Sequence, residues 1–435
     1  MKKSIYLAKE TKVLCVLLLL IFATSSSNTF AQTGNEVQGT GSGSSLGNGD
    51  YNSFYGDSSG TTESTGSRNT LIGFRSGFNM TSGYDNIKIG FDAGYENIGG
   101  DENIFIGTRA GRGIKNSFGS ETQYDNVFIG HEAGLNNETG DNVFIGFTSG
   151  RSNTTGRDNT FVGEESGRSN TTGKRNSFIG ENVGWNNTTG SDNTFIGGGG
   201  STSLFTHLSN TYGISTPSIP GYAAGEKNTT ASGNSFVGHG AGGDNRTGEF
   251  NTFIGAAAGA NNQYPGFNTF IGAFAGADNG RNNYTNDARY NTYVGFNTGA
   301  TNRRGQYNVG MGYDADFTQN PGTLTINNRM TFLGANIKVN GNDGVAIGFS
   351  SETKDDRSIA IGSYAQNTGE NSIGIGYLCK LTNDADQGIA IGHYTLMSEE
   401  NTVSIGAYDS VSAEGGIALG YNVNVSGDNA IGIGR

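Results

Sequence analysis

The sequence predicts an all-β solenoid of short stacked coils, and three observations lead there. Glycine recurs at fixed steps, apolar β-branched residues alternate with period two just before each of those glycines, and no 3.6-residue periodicity appears. With 74 Gly among 435 residues and a hydrophobic class of only 33%, the composition alone would fit a disordered chain. Disorder, however, places no constraint on where glycine falls. Here the glycines stand in columns, so the composition reflects a repeat in which each unit packs only on its neighbours.

The elements follow in chain order. Residues 1–31 have a basic start (Lys2, Lys3, Lys9 and Lys12), an apolar run from Val13 to Ala23, and small residues Thr29 and Ala31 before Gln32. That run is too short to span a bilayer and predicts a cleavable signal peptide, hence export. Its removal takes away four Lys and one Glu, a net +3, and moves the formal charge from −12 to −15. A chain this acidic repels nucleic acid and anionic lipid, so neither is an expected partner. Only Cys379 would remain, which excludes an intrachain disulfide. No second apolar stretch is present, so no helical membrane span is expected in the mature chain.

Residues 32–50 read as a flexible Gly/Ser-rich lead. The first repeat block, 51–200, has closing glycines at 56, 73, 90, 107, 130, 146, 163, 180 and 197, mostly 17 apart. An insertion over 201–233 precedes a second block of the same repeat, 234–312. An irregular connector follows at 313–334. The last block, 335–435, has closing glycines from 348 to 434, spaced 14 apart but for one step of 16. That is 22 units in all. Each unit has room for a short strand, a glycine turn, a second short strand and a polar turn, and none has room for a helix pair. Stacked at about 4.8 Å per coil, the units would form a rod on the order of 100 Å long.

With each closing glycine taken as position 0, the columns carry more information. Position −1 is aliphatic almost throughout (Ile72, Ile145, Ile254, Ile391, Leu419). Position −4 is Asn through both 17-residue blocks, from Asn52 to Asn308, a row whose side chains can hydrogen-bond from coil to coil. Position −2 is mostly Phe there and shrinks to Ala, Gly or Ser in the last block. Lys88 breaks this column once. Positions −1 and −2 point to opposite faces of a strand, so both faces are apolar or small. One thin coil hides only one of them, which predicts self-association. The reading places −1 and −3 inside the coil and −2 at the contact between copies. The contact column is then Phe128, Phe144, Phe161, Phe178, Phe195, Phe253, Phe270, Ala346, Ala360, Ala390 and Ala418. For the 17-residue blocks the reverse is open, because −3 is often Ser or Thr (Thr160, Ser177, Thr252).

Phrases such as SIAIGSYAQNTGENSIGIG (358–376) and GGIALGYNVNVSGDNAIGIG (415–434) resemble the head repeats of trimeric autotransporter adhesins of the YadA type. The resemblance covers about 345–434, and the 17-residue blocks look like an Asn- and Phe-rich variant of the same unit. It implies a left-handed parallel β-roll, a homotrimer, display on the outer membrane or cell surface of a Gram-negative bacterium, and adhesion to an extracellular protein or glycan. The family's neck, heptad stalk and β-barrel anchor have no counterpart before Arg435. A truncated adhesin and a released fibre are therefore both open.

No catalytic, cofactor-binding or metal-binding residues are expected, and the chain is not read as an enzyme. His131, His207, His239 and His393 are dispersed, and no metal-ligand spacing is present. Glu164–Glu165 and Asp355–Asp356 fall in turns, where solvated charge is the simple explanation. Cys379 stands in a small-residue column with Ala365 and Val423, as a buried apolar side chain would. Recognition is expected in the insertions, near 112–125, 201–233, 277–290 and 313–330. The longest of these brings Phe205, His207, Tyr212 and Tyr222 as candidate ligand contacts, joined by Trp185, the one Trp of the chain. Rival readings are a phage-type fibre, an ice- or polysaccharide-binding solenoid, and a polysaccharide-processing β-helix.

Overall fold

The computed structural model describes residues 34–62, 65–113, 124–199, 222–281, 288–318 and 326–434. The expected signal peptide lies outside them. Among the described residues every element is a β-strand, and every strand pairing is parallel: a 23-stranded sheet runs the length of the solenoid, and an 8-stranded sheet joins it from Asp316 onward. Registers are unbroken. Phe161 lies beside Phe178, and Phe195 beside Phe236 even across the long insertion. Residues 34–50 are a coil and not a flexible lead. Glu36–Gln38 pairs with Ser53–Tyr55, so the phrase Asn35-Glu-Val37-Gln-Gly39 is one further unit, 17 residues ahead of Gly56.

The closing glycines are required twice over. Gly146 has φ +140°, and a Cβ there would lie 2.2 Å from the Gly163 carbonyl oxygen of the next coil. The coil turns its other corners at −5 and +2 with left-handed backbone at ordinary residues, such as Asp158 (φ 60°) and Glu165 (φ 55°).

The −4 column is a continuous ladder. The Asn176 backbone N–H and side-chain amide both donate to the Asn159 side-chain oxygen, at 3.0 and 3.1 Å, and the same contact recurs from coil to coil. A second Asn row stands at +7. Asn170 donates to Asn153 at 2.7 Å and Asn187 to Asn170 at 2.8 Å, all buried. It is visible in the sequence only as the first Asn of the N-x-x-G turns, where an isolated turn explains it equally well.

The core corrects the face assignment. Phe128, Phe144, Phe161, Phe178, Phe195, Phe253 and Phe270, together with Ala346, Ala360, Ala390 and Ala418, are buried inside the coil of a single chain and are not a surface between copies. The rings form one stack from Phe105 to Tyr293, with centroids 4.7–5.1 Å apart. The reason lies across the coil, in the glycine at +4. A Cβ on Gly167 would stand 2.5 Å from the Phe161 ring, so ring and glycine occupy the interior together. The −1 and −3 side chains therefore face outward. Lys88 also lies inside. Its methylenes take the place of a ring, and its Nζ donates to the Asn97 side-chain oxygen at 2.7 Å and lies 3.0 Å from the Met80 sulfur.

From Asp316 onward the second wall becomes a strand, and large residues move onto it. Leu381, Met397, Val411 and Val425 at +5 are buried opposite the small −2 residues. At the junction Gly310 holds the −2 position, where a Cβ would lie 2.2 Å from the Phe332 ring. Cys379 is buried as expected, and burial pushes its thiol up.

Candidate functional site

The outward face of the long sheet is a continuous, uniform surface among the described residues. From Ser53 to Ile433 not one charged residue stands at −1 or −3 in any strand. Its side chains are open to solvent: Ile254 is 41% exposed, Ile405 45% and Met311 52%. Seven successive strands from Thr160–Val162 to Thr292–Val294 pair Thr or Ser at −3 with Ile or Val at −1, whereas from Val345 onward both positions are Ile, Val or Leu.

Its two edges are the left-handed corners, and these carry the specialised side chains. At the −5 corner Glu102, Asp125, Asp141 and Asp158 follow one another. Asp125 hydrogen-bonds to Glu102 and repels its charge, which raises the Glu102 carboxyl. Farther along, the same corner carries four exposed stacked rings, Phe250, Phe267, Tyr290 and Tyr307, at 5.0–5.3 Å. Between coils it also holds exposed ion pairs. Arg68, Arg175 and Arg329 hold Asp85, Asp192 and Asp343 below the usual carboxylate range. The opposite corner, +1 and +2, carries Phe349, Tyr364, Tyr377, His393, Tyr394, Tyr408 and Tyr421 in the last block. Sequence reading missed both aromatic corners. The first is a single column at −5 in four successive units, Phe250 to Tyr307, whereas the second is split between +1 and +2.

Of the loop candidates, Phe205, His207 and Tyr212 lie outside the described residues. Tyr222 packs back onto the solenoid, with the Lys227 ammonium 4.9 Å from its ring centroid. Trp185 is half-buried on the turn wall beneath the Arg168 guanidinium, 5.9 Å away. The structure does not bring these two together. His131, His239 and His393 sit on separate coils, and among the described residues no group of His, Cys, Asp and Glu is arranged to hold a metal ion. Nor is any helix among them long and apolar enough to cross a membrane. Among the described residues Asp316, at the junction of the two coil types, is the one carboxyl moved far by burial, up to about 7, although it accepts from the Thr301 and Phe317 N–H groups at 3.1 and 2.8 Å.

No model of a known protein family matches the chain, and no curated protein is significantly similar to it.

Proposed function

We propose that the chain is the binding head of an exported, surface-displayed adhesin, a rod that associates with copies of itself and presents repeated contact surfaces to an extracellular protein or glycan. The observation that carries this reading is the uncharged outward face of the long sheet, in a chain of net charge −12. At about 4.8 Å per strand and about 10 Å across, the face is on the order of 1,000 Å². A standard interface takes about 800 Å² from each partner, so this face, aliphatic at −1 and partly Thr or Ser at −3, is large enough for one. Covering the face with further copies is the simplest resolution, and three is the number the family resemblance implies. A non-enzymatic role accords with side-chain ladders devoted to packing. Repetition along the rod makes weak contacts sum to firm attachment.

Sedimentation of the chain lacking residues 1–31 tests the reading. A trimer at micromolar concentration is expected, and Ile254→Lys with Ile405→Lys should dissociate it. A well-folded, soluble monomer would overturn the proposal. The Thr/Ser row at −3 favours one second reading, an ordered-water or ice-binding face, for which thermal hysteresis is the measurement.

A further inference from the structure

We infer that the aromatic corner of the last block is a binding site for a neutral, linear polysaccharide lying along the rod axis. The inference deepens the adhesin reading and rests on it only in placing the rod outside the cell.

Three observations converge. First, the corner is repetitive. Tyr364, Tyr377, Tyr394, Tyr408 and Tyr421 succeed one another coil by coil, with centroids 5.2–6.1 Å apart. A surface that offers the same group every coil suits a ligand that repeats the same group at a similar interval. An extended glycan chain does this, and the irregular surface of a folded protein does not.

Second, the rings differ in what they leave open. The Phe250–Tyr307 stack at the other corner is nearly coplanar, so neighbours cover the ring faces and only edges meet solvent. In the last block the contacts are mixed: Tyr394 stacks on Tyr408 at 7° and Tyr377 on His393 at 18°, while Tyr364–Tyr377, Tyr377–Tyr394 and Tyr408–Tyr421 meet edge-on at 89°, 74° and 65°. The five tyrosines remain 43–59% exposed, which leaves ring surface open to the C–H face of a pyranose. A phenol adds a hydroxyl able to bond sugar hydroxyls, the combination that makes Tyr an amphipathic contact residue.

Third, the corner is neutral. From Phe349 to Asn422, positions +1 and +2 hold only Phe, Tyr, His, Leu, Ala, Ser and Asn, with no Asp, Glu, Lys or Arg, although the chain is strongly acidic. An anionic glycan or a basic peptide finds no charge to pair with at these two positions. These rings are already fixed by their neighbours and by the left-handed backbone of Tyr364, Tyr394 and Tyr408, so little side-chain freedom is lost on binding.

The test uses the full signal-cleaved chain and a panel of polysaccharides: cellulose, chitin, curdlan, mannan and dextran as neutral probes, alginate as the anionic one. Retention by at least one neutral polymer is expected, with weakening of tenfold or more in the triple variant Tyr364→Asn, Tyr394→Asn, Tyr408→Asn. Asn suits the left-handed backbone and already stands at the same corner as Asn422, so the variant should keep the wild-type thermal melt. Thr155→Ala, on an exposed turn of the first block and remote from the corner, should bind like wild type. The inference is overturned by no retention on any neutral polymer, by retention on alginate alone, or by undiminished retention of the triple variant. It is also overturned if the triple variant loses self-association, which would make the corner a contact between copies. A monomeric wild type that still binds glycan through these tyrosines would sink the self-association reading and leave this one standing.

Discussion

In the coil that closes at Gly163 the core is filled from the long sheet. Phe161 reaches across to a wall whose glycine, Gly167, gives way to it. In the coil that closes at Gly392 the filling comes from the other side, where Met397 on a second strand reaches toward Ala390. Both coils bury one large and one small residue in the same thin interior, with the assignment exchanged. The 17-residue coil runs as successive turns on the wall opposite its ring, and the 14-residue coil closes that wall by a short strand.

The comparison can be broken most forcefully at the ring stack. Phe161→Ala should cost about 3–5 kcal/mol of local stability, because rigid neighbours above and below cannot collapse into the space. Ala360→Phe should also destabilise, since the opposite wall of the last block is already filled. Hydrogen exchange resolved by coil reads both, as a repeat array does not unfold as a single two-state unit. If Ala360→Phe were neutral, the exchange-of-walls account would fail.

Asn159→Ala comes next, at about 2–3 kcal/mol, because it leaves the Asn176 backbone N–H buried without its acceptor. The last block has no Asn row at −4, so substitution of Ser372 there should cost less, which sharpens the contrast.

A smaller effect sits where the two coil types meet. Burial raises Asp316 to about 7, above its unfolded value near 4. The folded state therefore holds a proton that the unfolded state has shed. The contribution of Asp316 to stability is greatest below pH 4, falls as pH rises from about 4 to 7, and stays low above. Asp316→Asn should flatten that slope and stabilise the junction at pH 8 by on the order of 2 kcal/mol, as seen in melts at pH 4, 6 and 8.

Smallest of all is Asp192→Asn. It removes an exposed ion pair with Arg175 and should leave exchange rates near that coil unchanged within error.

Much of this architecture was legible in the sequence. The closing glycines marked the coils because two backbones meet there, and the Asn52–Asn308 column marked a ladder because no other side chain serves both as turn residue and as two-way bridge. The parity of −1 and −2 announced two apolar faces but not which was inside. That choice depends on Gly167 and its equivalents, four residues beyond the closing glycine, and their contact with Phe161 exists only once the coil is closed. Val37 and Asn35 were hidden by the Gly- and Ser-rich run around them, where composition outweighed the phrase. The aromatic corner from Phe349 to Tyr421 was obscured because some coils place the ring at +1 and others at +2, which breaks a column in the sequence without breaking the edge in space.

The Asn ladder also bears on how such a molecule changes over generations. The step from Asn142 to Asn159 is chemically the same as the step from Asn159 to Asn176. Excising the 17 residues between two equivalent positions would rejoin the row with no mismatched hydrogen bond. Unequal recombination between the repeated DNA segments could therefore shorten or extend the rod by whole coils while every intermediate still folds, so reach becomes a property that a lineage can adjust in steps of about 5 Å.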